Sequence, residues 1–488
     1  MLEKILFFIK QSIVYSLGSL TLPLVGIFMV PLYTRVFTPD DYGVIYLVQI
    51  TITFLTVLLL FGLDNANARY YMDSKDDRDR KLTASTTLFF LLTVVLACCL
   101  VFIGFSREIS KLIFETGGYS KYLTIAAAAV PFSLCAILCI NLLRFNFRPI
   151  SYAVLSAAQL LINVLLIIVL VVHFKSGIIG IFTATLASAT LFFIINLSVA
   201  KRYFSFTFSK KRLVELLKFG VPLVPYGITV YLIQNSARYF LSYFSSLESV
   251  GLYSLGFQIA SILSIFFIGT GLAWGPLIYS TYKEANIKAV YSKLTDYFVS
   301  LALLLVVGLS LFSRELLMVF ATSEYYGAYI LVPFLALYFT FFYVGLRMSF
   351  GINIAMKTFH FTWISVTTAA VNIGLNFLLV PPYGMIGAAI AALVCSIVWC
   401  VLLVLISQRY YHVDYKLSAF FKIFVLAGAL ISASYFLFSD VSLPHILMKL
   451  GLLVVFILCI YIFHLIGNAE LNYINTRARR VLLKRKNG

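Results

Sequence analysis

The sequence predicts an all-α integral membrane protein of about fourteen transmembrane helices, and three observations carry that prediction. Of 488 residues, 62% are hydrophobic and 11% charged, with mean hydropathy +0.99, far too apolar for a soluble chain of this length. The apolar residues fall in stretches of roughly 20, the length a helix needs to cross about 30 Å of hydrocarbon. Finally, 29 of the 37 Lys and Arg lie on one set of alternate connections, tails and adjoining helix ends. A cytoplasmic amino terminus puts this basic excess inside, and an even number of crossings returns the carboxyl terminus there. The net charge of +18, including the tail at 477–486, then reflects topology and attraction to anionic lipid headgroups, with no nucleic-acid partner required.

Segments one to seven are expected at 12–33, 43–63, 83–105, 122–143, 151–172, 179–199 and 219–241. Segments eight to fourteen follow at 251–275, 297–318, 329–350, 362–380, 386–406, 420–438 and 447–466. Pro23 and Pro31 interrupt the first, which is too long and too poorly followed by a cleavage site to read as a signal peptide. Thr38 is a candidate N-cap for the second, with Pro39 at its first position and Asp40 and Asp41 in its first turn. The 64–82 stretch reads as a solvated connector except for its first residues. Arg144 to Pro149 is a short turn between antiparallel neighbours. The basic stretch 200–218 is the predicted boundary between two lobes, giving units 1–205, 206–412 and 413–488. All seven cysteines fall in predicted helices and the five histidines scatter, so disulfides and thiolate metal sites are not expected.

The run Pro23-Leu24-Val25, then Pro31 to Phe37 (PLYTRVF), then Asp41-Tyr42-Gly43 resembles the amino-terminal signature of a transporter family. Gly177 to Gly180, Gly251-Leu252-Tyr253 and Gly384 to Gly387 extend the likeness along the chain. The family is the polysaccharide-transporter branch of the multidrug/oligosaccharidyl-lipid/polysaccharide exporter superfamily, which includes flippases for lipid-linked O-antigen and capsule repeat units. The resemblance implies two six-helix lobes in a V-shaped arrangement, two further carboxyl-terminal helices, and a cavity flanked by segments one, two, seven and eight. It also implies a bacterial inner membrane location.

The residues carry an internal repeat of their own. Gly43, Thr53 and Thr56 align with Gly251, Ser261 and Ser264 at an offset of 208, and Gly177 and Gly180 with Gly384 and Gly387 at 207. Six segments per copy is an even number, so both copies start on one face, related by an axis along the membrane normal.

Segment seven sets Tyr231, Gln234, Asn235, Arg238 and Ser242 at helical spacing. Segment eight does the same with Ser254, Gln258, Ser261 and Ser264, and segment two with Tyr46, Gln49, Thr53 and Thr56; segment one adds Ser12, Ser16 and Ser19. Unpaired polar groups in hydrocarbon cost several kcal/mol, so such stripes turn toward a bundle interior or a wet cavity. Arg238 shares a face with Gln234 and Asn235, and Arg347 lies near the inner end of segment ten. An arginine fork can give two parallel hydrogen bonds to a phosphate. Arg238, Gln234, Asn235, Gln258, Gln49 and Arg347 are therefore the candidate substrate-binding residues, the arginines for phosphate and the amides for sugar hydroxyls.

All nineteen Asp and Glu are placed in loops or near segment ends, Asp64 and Asp296 lying nearest the interior. Drug exporters of the superfamily use a mid-membrane carboxylate, so this chain departs from them, and a cationic or neutral cavity favours an anionic cargo. The expected cargo is a polyprenyl-diphosphate-linked oligosaccharide, with polysaccharide polymerase machinery as a candidate partner and the transporter itself a monomer. No nucleophile triad, carboxylate pair, phosphate loop or metal-ligand spacing occurs, so an enzyme is not expected and no cofactor is assigned. Coupling to H+ or Na+ and drive by the membrane potential are both compatible with the residues. Rival readings are a peptidoglycan-precursor flippase, a drug/cation antiporter, and a membrane-embedded polysaccharide polymerase or ligase.

Overall fold

A computed structural model describes residues 25–74, 76–284, 287–437 and 441–462, and all their regular structure is helical. Ser12, Ser16, Ser19, Pro23 and the 477–486 tail lie outside these residues. The described residues open with α1 (Val25–Val36), helical through Pro31. Thr38 caps α2 (Pro39–Leu59) as predicted: its Oγ1 accepts from the Asp41 N–H and the Asp41 carboxylate from the Thr38 N–H, each at 3.3 Å. This reciprocal pair satisfies two of the donors a helix start leaves open.

The stretch expected to be a solvated connector instead folds as α3 (Leu63–Asp73) and the start of α4 (Asp77–Gly104). In α3, Leu63, Ala66 and Tyr71 are buried while Asp64, Asn65 and Arg69 are exposed, so its apolar face recurs at helical spacing despite the charges. Then come α5 (Ser106–Phe114), α6 (Ser120–Phe145), α7 (Pro149–His173) and α8 (Gly177–Ala200). Beyond the basic stretch lie α9 (Lys210–Gly220), α10 (Val224–Phe244), α11 (Leu247–Ala260), α12 (Ile262–Thr281) and α13 (Ile287–Leu311). They are followed by α14 (Ser313–Phe320) and α15 (Ser323–Ile354).

The next helical run, Phe359–Tyr410, has 52 residues and would be about 78 Å long if straight. His360 Nε2 nevertheless lies 2.8 Å from the Tyr410 hydroxyl, so the chain folds back on itself. The reversal is at Gly384, whose φ of 53° and ψ of −132° are non-helical. Its arms are α16 (359–383) and α17 (385–410), and α18 (Leu417–Leu437) and α19 (Leu443–Ile462) complete the chain. With α11 and α12 read as one span bent by 41°, each predicted segment overlaps a helix among the described residues, the first only through the short α1. The bend falls where Ser261 Oγ donates to the Gln258 carbonyl and Ser264 Oγ to the Ser261 carbonyl, side-chain bonds that draw on the helix's own acceptors.

The helices before the basic stretch 200–218, a first group, pack α6 against α8, and those after it, a second group, pack α16 and α17 against α10 and α15. The groups meet where α2 crosses α11. A Cβ on Gly43 would lie 2.2 Å from the Leu247 carbonyl oxygen, and one on Gly251 would lie 2.0 Å from that of Pro39. These are the glycines the repeat aligns, and each meets the residue four before the other. Reciprocal contact of this kind is what a two-fold relation produces at its axis. The second glycine pair is also equivalent in conformation: Gly177 and Gly384 have φ of 60° and 53° at the two corresponding reversals, a region where a side chain is strained.

One expectation needs correction. Asp296 is not near a helix end but well inside α13, 1% exposed, with Lys416 Nζ at 3.3 Å. The helix is already formed at Ile287, earlier than the apolar run suggested, because its polar first turns pack against the chain around Tyr411 and Asp414 rather than ending in water.

Candidate functional site

Two ends of the junction can be told apart, one carrying Thr38 and the other Arg212. At the Thr38 end, the Tyr325 hydroxyl donates to the Phe37 carbonyl at 2.8 Å and Thr322 Oγ1 to the Thr34 carbonyl at 3.0 Å. At the Arg212 end, Gly62 of the first group lies against the backbone of Gly220, and Arg212 is ion-paired with Asp79 and, at 3.2 Å, with Glu215. The junction is thus bridged at both ends.

Between them lies Arg238, 2% exposed. Its Nε donates to Ser254 Oγ of α11 at 3.0 Å, and its Nη1 to the Gln234 carbonyl at 3.2 Å and to Asn235 Oδ1 at 3.4 Å. The guanidinium carbon sits 4.5 Å from the ring centre of Phe257, 5.5 Å from Tyr253 and 5.8 Å from Tyr46. Among the described residues no carboxylate pairs with it. A buried cation without a counter-ion is costly, and ring faces return only about 0.5 to 2 kcal/mol each.

Around it four segments converge. The Tyr46 hydroxyl of α2 donates to Gln258 Oε1 of α11 at 3.2 Å and stands 3.4 Å from that of Tyr42. Gln258 Nε2 lies where a Cβ on Gly26 of α1 would approach to 2.4 Å. Gln234, Asn235, Gln258 and Gln49 are half-buried, none facing out fully. Asn235 Nδ2 returns to the Tyr231 carbonyl at 3.1 Å, which fixes its oxygen toward Arg238. Gln49 sits one turn along α2 from Tyr46, with no side-chain hydrogen bond among the described residues.

Arg347 does not join this group. It donates to the Phe267 carbonyl, has Gly271 beside its Nη2, and leaves Nε buried without a partner among the described residues. The positions that hold the two arginines along segment eight, Ser254 and Phe267, are separated by about 20 Å of helix, too far for one phosphate. The two other members of the segment-seven stripe serve packing: Tyr231 donates to the Ile50 carbonyl, and Ser242 to that of Ile113 at 2.8 Å.

The sequence reading missed two parts of this region. Tyr253 and Phe257, one turn apart beside Ser254 and Gln258, complete the ring cage, and aromatic spacing beside a polar stripe was the available signal. Segment eleven carries Ser365, Thr368, Asn372 and Asn376 at helical spacing, all buried. Asn372 Oδ1 accepts from Ser236 and from Asn376 Nδ2, and Ser365 Oγ lies 2.7 Å from Thr229 Oγ1. The second polar face of α10 is therefore turned to α16.

Comparison with known proteins follows the same lines. The model of a family described as polysaccharide biosynthesis protein matches residues 8–282. An uncharacterized membrane protein of Haemophilus influenzae is 24% identical over 294 residues, 57% of this chain and 67% of that protein. Its Lsg locus putative protein 1 is 21% identical over 285 residues, covering 57% and 67%. Among solved structures, the lipid II flippase MurJ in an inward closed conformation matches with a TM-score of 0.76 and 18% identity, over 94% of this chain and 99% of that one. An inward-facing multidrug resistance MATE family transporter of the MOP superfamily matches with a TM-score of 0.65 and 17% identity, over 83% and 96%.

Proposed function

Because the chain belongs to the polysaccharide biosynthesis protein family, we propose that it flips polyprenyl-diphosphate-linked oligosaccharide repeat units across the bacterial inner membrane for surface polysaccharide. The observation that carries this reading is Arg238: a buried guanidinium at the junction with no acid beside it among the described residues. An anion entering there supplies the missing counter-charge. The diphosphate engages Arg238, and the sugars meet Gln234, Asn235, Gln258 and Gln49 and stack on the Tyr46, Tyr253 and Phe257 rings. The polyprenyl tail stays in lipid. Arg347 marks a second cationic station nearer the other end, reached at a different stage of the passage rather than together with Arg238.

The two lobes, 1–205 and 206–412, rock about the Gly43–Gly251 contact. Bridges at one end break while those at the other hold, which exposes the headgroup to alternate sides. With the Thr38 end outside, as the Lys and Arg distribution supports, an inside-negative potential favours expulsion by about 2.3 kcal/mol per charge per 100 mV. The unit moves without covalent chemistry.

Arg238→Ala, with membrane expression matched to wild type, is expected to lower surface polysaccharide roughly tenfold or more, the effect of losing a charge-assisted phosphate contact. An undiminished level removes Arg238 from the route. The likeness to the lipid II flippase over 94% of the chain favours a second reading, in which the cargo is the peptidoglycan precursor. Rescue of a strain depleted of its precursor flippase, without rescue of one lacking surface polysaccharide, selects that reading.

A further inference from the structure

A cavity of about 310 Å³ lies where α18 and α19 meet the second lobe, distinct from the surroundings of Arg238. It is lined by Ser310 and Leu311 at the end of α13, Ser313 and Arg314 opening α14, Tyr329 of α15, Ser434 and Tyr435 of α18, and Lys449 of α19. Its lining is cationic and rich in hydroxyls. Three of its features point to an anionic ligand.

Ser310 is fully buried, and its hydroxyl has no hydrogen-bond partner among the described residues. A buried donor left open in this way costs about 1 to 3 kcal/mol, which a ligand acceptor would relieve. Lys449 has a side chain 4% exposed and gives one bond to Glu315 Oε1 at 2.6 Å, so its ammonium retains two further donors. Arg314 has no ion pair among the described residues, and its guanidinium carbon stands 5.7 Å from the Tyr329 ring centre. Glu315 cancels one positive charge and the Arg314 charge is left over. The far wall is rigid: the Tyr435 hydroxyl donates to the Tyr329 carbonyl at 2.9 Å and lies 3.0 Å from Ser313 Oγ, and the two tyrosine rings stack at 5.5 Å.

The cavity lies among the ends of the membrane-crossing helices α13 and α18 and the first turns of α19, so a phospholipid headgroup is the anion placed to reach it. We propose that this cavity binds the phosphate of an anionic phospholipid in the leaflet at the Thr38 end, with Arg314, Lys449 and the Ser310 hydroxyl as its donors. Such a lipid would pin α18 and α19 to α13 and α14, whatever the cargo carried at the junction.

The test is native mass spectrometry of the full-length protein, delipidated and titrated with phosphatidylglycerol, phosphatidylcholine or inorganic phosphate. One phosphatidylglycerol is expected to bind in preference to phosphatidylcholine, with affinity reduced on the order of tenfold by Arg314→Gln. Ser310→Ala, which removes one hydroxyl and no charge, is expected to weaken it about threefold and serves if the first variant does not fold. Equal phosphatidylglycerol affinity in wild type and either folded variant overturns the proposal. So does displacement of the lipid by inorganic phosphate, which would make a free anion the ligand.

Discussion

Arg238 at the lobe junction and Lys449 of α19 are both almost fully buried cations, at 2% and 4% exposure, yet they are stabilised in opposite ways. Lys449 has Glu315 at 2.6 Å, and the pair joins two helices distant in sequence. Among the described residues Arg238 has only neutral dipoles and three ring faces. A paired charge is spent on architecture, whereas one held by neutral groups keeps most of its attraction for an incoming anion. Lys416 and Asp296 repeat the paired pattern at the other end of α13, so both appended helices are fastened to the second lobe by an acid and a lysine.

That contrast can be broken most forcefully at the paired site. Lys449→Met leaves Glu315 buried and alone, and is expected to lower stability by about 3 to 5 kcal/mol in thermal unfolding of the purified protein. Adding Glu315→Gln should restore most of the loss. If the single variant is as stable as wild type, the pair is not structural.

Ser254→Asp makes the junction resemble the paired site by placing a carboxylate within reach of Arg238 Nε. Thermal stability should be kept or raised while surface polysaccharide falls about tenfold, because the anion's counter-charge is already occupied. Unimpaired export would mean that an open positive charge is not what the cargo needs.

The Gly43–Gly251 crossing sharpens the comparison from the side of packing. Gly43→Ala drives a methyl against the Leu247 carbonyl, a rigid neighbour, and should destabilise the bridged Thr38 end by about 1 to 3 kcal/mol. Faster maleimide labelling of a cysteine placed at Thr322 reads this out; unchanged labelling argues against that crossing as the closure point. The smallest effect is expected from Tyr46→Phe, which removes the hydroxyl bonded to Gln258 but leaves the ring beside Arg238. Export should drop only about two- to fivefold, and a far larger loss would show that this hydroxyl contacts cargo.

Much of the architecture is legible in the sequence. Apolar runs located the spans, Thr38 and Pro39 marked a helix start, and the glycine offset located two equivalent reversals, because hydropathy, capping and positive φ are local properties of a few residues. The stripe Gln234, Asn235 and Arg238 was legible for the same reason, since residues four apart share a helix face. Other matters were decided only by tertiary structure. That repeated glycines touch one another, that Tyr253 and Phe257 enclose Arg238, that Arg347 stands a long way from it, and that Asp296 and Glu315 are neutralised by lysines far along the chain all depend on how helices are rotated and which ends meet. A helix carries its periodicity in its own sequence, but its rotational phase and its charge partners belong to its neighbours, and those are fixed by packing across more than a hundred residues of intervening chain.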